Sequence, residues 1–492
     1  MRKFVLIGIC MSALLLAGCV NKSKTAVSEC SETAVSCDRI LPVTGSFINL
    51  PYQDVRNRYT NPLHVDGTDP LMWKTKVDEL HEMGMEYLII MAVANEGKSY
   101  YPSALMPWQY PSHRQSPVDA IMEAAAENGM KVFMSTGWAK DQDDNLRDPK
   151  IKGRQLEMME ELSRLYGSHP AMYGWYLPVE DCLGPVLSDY AVDAVNALSA
   201  RARELTPGKK ILISPYGIFN SDFSDPRYEQ QICRLKVDII AYQDEIGCVR
   251  ERYPMVRLKS NWKKLRQIHD KAGIQMWANC ESFAWEGNTN DRTSALVPAS
   301  FHRFLSQMAL ASEGGVDRIV SFMMYGIYEN PSSPFCLGQP HWSAQAWTDY
   351  MTWLHGDRYW KTVENAFLGR YGAVAQEDPS DVRWTHFSPG YSEMVVELPS
   401  SGMPESVFVR MLSCRKDGIV PPGSVAVYTS EDGTEYVLDA IVNVPQFPND
   451  RHDTYVVSVL ADCLDPDEKS RFLKIGFTSE NRTAFDRVIL NP

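Results

Sequence analysis

From about residue 40 to about residue 360, short apolar runs alternate with segments in which apolar residues recur every three or four positions. Short apolar runs are typical of buried strands, and the longer period is typical of helices that pack on a sheet. We count eight strand-like runs, at residues 44–50, 87–93, 131–138, 172–181, 210–216, 237–243, 274–283 and 318–325. Alternating strands and helices form right-handed βαβ units, so this region is predicted to fold as a (β/α)8 TIM barrel.

Seven helix-period segments accompany these runs. They cover residues 70–83, 118–128, 152–166, 190–205, 256–272, 298–312 and 341–354. Gly129, which follows the second segment, suits a helix C-cap because glycine tolerates the left-handed conformation that many helix ends require.

The pattern changes after about residue 365. Short alternating runs replace the helix period, at residues 392–398, 406–412, 424–428, 471–477 and 484–490, and turns such as 431–434 separate them. Such runs predict an antiparallel sandwich. We therefore predict a barrel domain at residues 41–362, followed by a smaller all-β sandwich domain, jelly-roll-like, at residues 363–492.

The N-terminus has the pattern of an export signal. Two basic residues precede an apolar run from Phe4 to Leu16, and Leu-Ala-Gly-Cys ends at Cys19. This run is too short to span a bilayer as a lasting helix, and residues 1–19 fit a secretory signal. The Leu-Ala-Gly-Cys sequence resembles the bacterial lipobox, which implies that Cys19 is lipidated and anchors the mature chain to a membrane. Residues 20–40, rich in Ser, Thr and Lys, are predicted to form a flexible tether.

Composition narrows the choice of partners and cofactors. The net charge of -13 argues against nucleic acid, because phosphate binding needs clustered Lys and Arg. The eleven cysteines form no Cys-x-x-Cys pair and the ten histidines form no His-Glu-x-x-His motif, so no zinc or redox centre is indicated. Nucleotide-binding glycine loops and the Gly-x-Ser-x-Gly elbow are absent from the sequence as well. We expect no cofactor and no bound metal.

Two of the strand-like runs lead to a glutamate. Glu180 lies near the end of the fourth run and Glu281 near the end of the seventh. Because all strands of such a barrel point the same way, both carboxyls are predicted at its C-terminal face, where barrel active sites lie. Breaking a glycosidic bond needs one protonated carboxyl and one ionised carboxylate. The pair therefore predicts a glycoside hydrolase with Glu180 and Glu281 as catalytic residues.

Three further acidic residues compete for a role in the reaction or in substrate binding. Asp244 and Glu245 follow the sixth run, and either could serve as a base with Glu180 as the acid. Asp181 could take part as well, or could only cap the segment that follows it. Retaining glycosidases hold their two carboxyls about 5–5.5 Å apart and inverting ones about 6.5–9.5 Å apart. We predict retention, and the choice among these carboxyls stays open at this point.

Aromatic and amide residues also cluster at the predicted rim. Aromatic rings could stack on sugars, and amides could hydrogen-bond to hydroxyls or to a carboxylate. Ordinary loop packing is the alternative for each single residue. The predicted substrate-binding residues are Asn49, Trp138, Tyr216, Asn279, Trp285 and Tyr325.

With its two glutamates, the barrel resembles the glycoside hydrolases of clan A, which carry an acid/base glutamate after strand 4 and a nucleophilic glutamate after strand 7. The resemblance implies that Glu180 is the acid/base and Glu281 the nucleophile. Members of the clan usually have Asn directly before the acid/base, where it contacts the sugar 2-hydroxyl, whereas this chain has Val179. The chain is more similar still to barrel lipoproteins of gut Bacteroidetes, of the domain-of-unknown-function type, which carry a sandwich after the barrel.

The last strand-like runs and the turn Ser430-Glu-Asp-Gly433 resemble a galactose-binding-like jelly roll. Together these features predict an exported lipoprotein that hydrolyses glycans outside the cytoplasm, anchored in the bacterial cell envelope, with the outer membrane favoured. A carbohydrate-binding lipoprotein whose barrel has lost catalysis is the alternative. A scaffold whose sandwich mediates protein contacts is a third possibility.

Overall fold

The computed structural model describes residues 40–50, 64, 66–110, 114–140, 144–181, 183–249, 257–285, 296–299, 301–337, 342–355, 361–363, 373–377, 383–398, 406–444, 454–462 and 470–490. The predicted signal segment, Cys19 and the tether up to residue 39 lie outside these residues. Within the described residues, none of the helices combines the length and the apolar character needed to span a membrane.

Eight parallel strands form a closed barrel. They are β1 Val43–Ile48, β2 Tyr87–Ile90, β3 Lys131–Ser135, β4 Met172–Tyr176, β5 Lys210–Ile213, β6 Ile239–Gln243, β7 Gln275–Glu281 and β8 Arg318–Phe322. Each strand pairs with its sequence neighbours, and β8 pairs with β1 to close the ring. The structure confirms the predicted TIM barrel. Several apolar runs continue beyond the end of their strand, because the first loop residues, such as Ala92 and Val93 after β2, are buried as well.

In the described part of the chain, a helix follows each barrel strand. The helices are α1 Pro70–Glu82, α2 Pro117–Glu127, α3 Pro149–Tyr166, α4 Asp189–Leu205, α5 Pro226–Arg234, α6 Leu258–Ala272, α7 Phe301–Glu313 and α8 Trp342–His355. A further short helix, Ile246–Val249, lies between β6 and α6. The sequence pattern did not predict α5, because only Tyr228, Gln231 and Ile232 of this helix are buried.

Local sequence explains where four of the helices begin. Asp69, Ser116, Asp148 and Asp225 each accept a backbone N–H from the first turn, and a proline follows each of them. Such side chains satisfy an N–H that the helix cannot pair, and proline has the backbone angle that the first helical position requires. These four residues therefore determine where the loop after a barrel strand ends and the next helix begins.

Aromatic side chains fill the barrel near the strand starts. The rings of Tyr87 on β2 and Trp277 on β7 have their centroids 5.1 Å apart, and those of Phe133 and Tyr173 are 5.3 Å apart. Because β2 and β7 are not neighbours in the sheet, the Tyr87–Trp277 contact crosses the barrel interior. The interior is packed at this end, so a ligand site belongs at the opposite, C-terminal end.

The C-terminal residues form antiparallel strands, as predicted. These are β9 Lys361–Val363, β10 Ala373–Glu377, β11 Arg383–Phe387, β12 Gly390–Glu397, β13 Ser406–Cys414, β14 Ser424–Ser430, β15 Val437–Asn443, β16 Thr454–Asp462, β17 Phe472–Ser479 and β18 Thr483–Leu490. One sheet has the order β10-β11-β18-β13-β16, with β9 also pairing to β18, and the other has the order β12-β17-β14-β15. The ring of Phe477 in the second sheet lies 5.2 Å from that of Phe387 and 4.7 Å from that of Phe485 in the first. The two sheets therefore pack face to face. The domain division at residue 362 stays a prediction.

A buried ion pair joins the sandwich to the barrel. Arg410 on β13 has a fully buried side chain, and its guanidinium donates to both carboxylate oxygens of Glu313 on α7, at 2.8 and 3.3 Å. Lys259 on α6 lies 2.8 Å from the same carboxylate. Because an unpaired buried charge is costly, this contact couples the two parts of the molecule.

Candidate active site

Glu180 lies at the C-terminal end of the barrel, four residues beyond the last residue of β4. Its Oε1 accepts a hydrogen bond from the hydroxyl of Tyr176, the last residue of β4, at 3.2 Å. Burial raises the pKa of Glu180 to about 7, although the Tyr176 hydroxyl acts in the opposite direction by stabilising the carboxylate. Glu180 is therefore a carboxyl that can hold a proton near neutral pH.

Asp181 makes a contact that orders the chain after Glu180. One of its carboxylate oxygens accepts the backbone N–H of Ser188 at 2.7 Å, and Ser188 in turn caps the start of α4. Its backbone oxygen accepts the N–H of Tyr216 at 3.3 Å. This geometry fits the capping alternative for Asp181, and a part in the reaction stays a prediction.

Asp244 and Glu281 bring two carboxyls together at the ends of β6 and β7. The backbone N–H of Glu281 donates to Asp244 Oδ1 at 3.1 Å, and the Gln307 amide donates to Asp244 Oδ2 at 2.6 Å. Burial raises the pKa of both carboxyls, and the nearby charge of Asp244 raises that of Glu281 further. Since the N–H donors favour the ionised form of Asp244, a proton held by this pair belongs on Glu281.

The short helix at residues 246–249 covers Glu281. The N–H of Cys248 donates to Glu281 Oε2 at 2.7 Å, and a Cβ on Gly247 would come within 2.8 Å of the same oxygen. Only glycine therefore lets the chain pass so close to the carboxyl. As a result Glu281 is only 3% exposed, although it is the last residue of β7. The sequence places Glu281 at a strand end but gives no sign of this cover.

Glu245 adds a third carboxyl to the group. It is buried, and its Oε2 accepts the N–H of Gly217 in the loop after β5 at 2.6 Å. Its backbone φ is +54°, in the left-handed region that non-glycine residues seldom adopt. Burial raises the pKa of Glu245 to about 7, and the charge of Asp244 contributes to the same shift. Asp244, Glu245 and Glu281 thus form one acidic group at the ends of β6 and β7.

Two polar residues of α7 support this acidic group and were missed in the sequence. Besides its bond to Asp244, the Gln307 amide donates to the backbone oxygen of Glu281 at 3.1 Å. Arg303 donates to the backbone oxygens of Glu281 and Phe283, at 2.9 and 2.6 Å. Arg303 and Gln307 are four residues apart, which places them one turn apart on the same face of the helix, and that spacing was the signal that could have identified them.

Three of the predicted substrate-binding residues lie near the carboxyls. Trp138 donates from its indole nitrogen to the backbone oxygen of Pro178 at 3.4 Å, next to the Glu180 segment. Tyr216 is 37% exposed and adjoins Asp181 through its backbone. Asn279 is buried on β7 and donates to Ser214 Oγ at 3.1 Å. Of the three, Tyr216 is the most exposed.

The other three have different surroundings. Tyr325 is buried and stacks on Trp73 of α1, with the ring centroids 5.5 Å apart. Trp285 is buried and packs edge-on to Phe283 at 6.1 Å. Asn49 is half-buried directly after β1. Tyr325 and Trp285 therefore pack within the protein, and substrate contacts by these residues stay predictions.

A family model described as "Domain of unknown function (DUF4434)" matches residues 43–334, more than half of the 492-residue chain. The chain belongs to the DUF4434 family. The matched region of this DUF4434 protein contains all eight barrel strands and each of the carboxyls described above, and it ends before α8. Comparison with curated proteins gives no match.

Several solved structures align with the DUF4434 protein. A candidate alpha-L-fucosidase from Bacteroides thetaiotaomicron aligns with a TM-score of 0.51 at 18% identity, over 65% of this chain and 94% of that one. A GH29 alpha-L-fucosidase from the same organism aligns at 0.39 and 15%, over 85% and 93%. A GH99 endo-alpha-mannosidase, also from that organism, aligns at 0.37 and 13%, over 63% and 97%. At these identities the first similarity shows a common fold.

The DUF4434 site combines two kinds of carboxyl. Glu180 lies on the β4 side and accepts a hydrogen bond from a tyrosine hydroxyl. On the β6–β7 side, besides burial, the charge of Asp244 raises the pKa of Glu245, and the charges of Asp244 and Glu245 raise the pKa of Glu281. Burial raises the pKa of Glu180 and of the acidic group alike, but two N–H donors favour the ionised form of Asp244. Such a difference in surroundings allows one carboxyl to act as an acid and another as an anion. The arrangement can therefore provide a proton donor and a carboxylate at the same end of the barrel.

Proposed function

We propose that this DUF4434 protein is a glycoside hydrolase in which Glu180 donates the proton to the leaving oxygen. The observation that carries the proposal is the half-buried Glu180 carboxyl, with its pKa raised to about 7, at the end of the barrel that also carries the β6–β7 acidic group. A general acid is most effective when its pKa lies near the working pH. The fold shared with a structure described as a candidate alpha-L-fucosidase adds support for a glycan substrate.

Glu281 is our choice for the nucleophile of a retaining mechanism. It ends β7, and the N–H of Cys248 favours its ionised form. Its raised pKa means that it must lose its proton before it attacks, and Asp244 or Glu245 is the neighbour that could accept the proton. Attack by Glu281 on the anomeric carbon would break the glycosidic bond while Glu180 protonates the departing oxygen. Water would then release the sugar, with Glu180 acting as the base.

Substitution of the two glutamates tests these roles. With an aryl glycoside that the wild-type protein hydrolyses, we expect Glu180→Gln and Glu281→Gln each to reduce the rate of hydrolysis by about 10²–10⁴-fold. Asp181→Asn should leave this rate largely intact. The loss in Glu180→Gln should shrink with a 2,4-dinitrophenyl leaving group, because that group departs without protonation. NMR of the first-formed anomer separates retention from inversion. Unchanged turnover in both glutamine variants, with unchanged melting temperatures, would refute the assignment.

A carbohydrate-binding protein without catalysis is the second candidate function. The burial of Glu281 beneath residues 246–249 and the presence of Val179 before Glu180 favour it. In that case the wild-type chain would bind glycans on an array and release no reducing ends from them. The Glu180→Gln variant would then bind as well as the wild type.

We further propose that the protein is exported and anchored in the bacterial cell envelope, at the outer membrane, through a lipid on Cys19. The basic start, the short apolar run and the Leu-Ala-Gly-Cys sequence support this location. Cells that express the full chain should incorporate labelled palmitate into the wild type and not into Cys19→Ala. Equal labelling of both chains would contradict the anchor.

A further inference from the structure

The outer face of the four-stranded sheet β12-β17-β14-β15 has an unusual set of side chains. Leu473, Ile475 and Phe477 of β17 are buried in the sandwich core, so the alternate residues Lys474 and Gly476 face outward. In the pairing register, Gly476 lies opposite Glu393 on β12, and Lys474 lies opposite Tyr428 on β14. The outward residues of these three strands therefore meet on one surface.

Gly476 lies between two tyrosines and is buried beneath their rings. A Cβ at position 476 would lie 2.9 Å from Tyr391 Oη and 3.2 Å from Tyr428 Cε2, closer than carbon atoms normally pack. The two rings thus lean over the glycine backbone from neighbouring strands on either side. Tyr391 nevertheless keeps 55% of its surface exposed. A larger residue at position 476 would force these rings apart.

A charged pair is fixed among the same rings. Lys474 Nζ lies 4.2 Å from the centroid of the Tyr436 ring, 4.7 Å from that of Tyr428 and 3.7 Å from a carboxylate oxygen of Glu393. The Tyr391 hydroxyl donates to the same Glu393 oxygen at 3.1 Å. The surface therefore combines the exposed ring of Tyr391 with a partly covered ammonium–carboxylate pair, whose side chains keep 17% and 19% of their surface exposed.

We propose that this face, defined by Tyr391, Tyr428, Tyr436, Lys474 and Glu393, binds a neutral glycan chain. A sugar ring presents C–H groups that pack on aromatic faces and hydroxyls that bond to fixed donors and acceptors, and the surface supplies both. Lys474 and Glu393 cancel in charge, which favours a neutral polymer over an acidic one. The neighbouring edge strand β15 is different, because its exposed side chains Val437, Leu438 and Ile441 are apolar.

This binding surface would act independently of bond cleavage, since none of its residues belongs to the barrel. It goes beyond the proposed hydrolase function by giving the sandwich a ligand of its own. A second glycan contact on the same chain would raise the effective concentration of a polymer at the barrel.

Native affinity electrophoresis of the full chain tests the proposal. The gels would contain one of the neutral polymers xylan, α-mannan, β-1,4-galactan and dextran, or the acidic polymer polygalacturonate as a contrast. All binding variants would carry Glu180→Gln as well, so that no polymer is degraded during the measurement. We expect retardation by at least one neutral polymer, and about tenfold weaker binding in Tyr391→Ala and in Tyr428→Ala. Tyr391→Phe keeps the ring and should retain most of the binding. Ile441→Ala on the adjacent strand is the matched control and should bind like its parent.

Several results would overturn the proposal. The proposal fails if no neutral polymer retards the protein, or if the Tyr391→Ala/Tyr428→Ala double variant is retarded as much as its parent. It also fails if retardation is lost in Ile441→Ala alone, because that loss would indicate an apolar protein contact. Stronger retardation by polygalacturonate would refute the neutral ligand. In the otherwise wild-type chain, Tyr391→Ala should hydrolyse a small aryl glycoside at the normal rate. That measurement separates failure of the binding surface from failure of the hydrolase assignment.

Discussion

The proton affinity of Glu180 depends on one hydrogen bond that a single substitution removes. In Tyr176→Phe the carboxylate loses the hydroxyl that stabilises it, so the pKa of Glu180 should rise above about 7. A hydrogen bond to a charged group is worth about 1.5–3 kcal/mol, and one pKa unit corresponds to about 1.36 kcal/mol, so we expect a rise of about one unit or more. NMR titration of Glu side-chain carboxyl carbons, with the Glu180 signal assigned from Glu180→Gln, measures the shift.

Tyr173→Phe is the control for this experiment, because Tyr173 lies on the same strand and packs at the other end of the barrel. Its Glu180 titration should match that of the wild type. A fall in the pKa of Glu180 in Tyr176→Phe, or no change, would contradict the role given to the Tyr176 hydroxyl.

The charge of Asp244 should control the ionisation of Glu281. Asp244→Asn removes a negative neighbour, so the pKa of Glu281 should fall toward its ordinary value while its burial still holds it above that value. The same carboxyl NMR titration detects the change, with Glu281→Gln for assignment. Asp181→Asn, another rim substitution, should leave Glu281 unchanged. An unaltered Glu281 titration in Asp244→Asn would show that the two groups are not coupled.

At the residue scale, the sequence located the carboxyls better than it described their surroundings. Glu180 and Glu281 were predictable because each follows an apolar strand, and strand ends in a barrel share one face. The cover over Glu281 was not predictable, since it depends on how Gly247 and Cys248, more than thirty positions earlier in the chain, pack against it. Site contacts of this kind arise from tertiary packing and leave no local pattern.

At the scale of elements, the strength of the hydrophobic pattern decided what could be predicted. All eight barrel strands were identified because they are buried on both faces and read as continuous apolar runs. Helix α5 was missed because it is short and mostly exposed, although Asp225-Pro226 marks its start. Strand β15 was missed for a related reason, since it lies at a sheet edge and neither of its faces is well buried.

A buried hydrogen-bond chain connects three elements behind the acidic group. His269 on α6 lies 2.9 Å through Nδ1 from the Ile274 oxygen, so Nδ1 carries the proton and Nε2 accepts from Tyr242 on β6 at 2.8 Å. The hydroxyl of Tyr228 on α5 donates to that of Tyr242 at 3.1 Å. The chain requires a neutral imidazole, because Nε2 must accept. It holds β6 in place just before Asp244.

This hydrogen-bond chain makes stability depend on pH. Burial lowers the pKa of His269 to about 4, below the value of about 6.5 for an unfolded histidine. Between these values the unfolded chain binds more protons at this residue, so the contribution of His269 to stability should fall by about 3 kcal/mol as pH decreases from about 6.5 to about 4. The carboxyls with raised pKa values, Glu180, Glu245 and Glu281, contribute to the pH dependence with the opposite sign. Urea unfolding across this range measures the slope. Relative to the wild type, His269→Gln should lose about 3 kcal/mol less on acidification across this range, whereas His81→Gln on the exposed side of α1 should have the wild-type slope. Parallel slopes in the wild type and His269→Gln would contradict the assignment.

At the scale of the whole molecule, we expect the buried Arg410–Glu313 pair to contribute to the coupled unfolding of the barrel and the sandwich, in addition to the packing of α7 against β16. Removing one partner of a buried ion pair leaves a desolvated charge and typically costs about 3–5 kcal/mol. In Arg410→Met we expect a smaller loss, of about 2–3 kcal/mol, because Lys259 still neutralises Glu313. We also expect the unfolding transitions of barrel and sandwich to separate, because the loss of this ion pair weakens the contact between α7 and the sandwich.

A double-mutant cycle checks this coupling. Arg410→Met and Glu313→Leu should each destabilise the protein, whereas the double variant, with two apolar side chains in the same space, should lose less than the sum of the two. Differential scanning calorimetry of the full chain would show whether one transition becomes two. Arg471→Met is the matched control, since Arg471 pairs with Glu397 on the exposed surface and such pairs contribute little. Additive losses in the cycle, with a single transition throughout, would mean that the sandwich is held to the barrel by apolar packing and not by this ion pair.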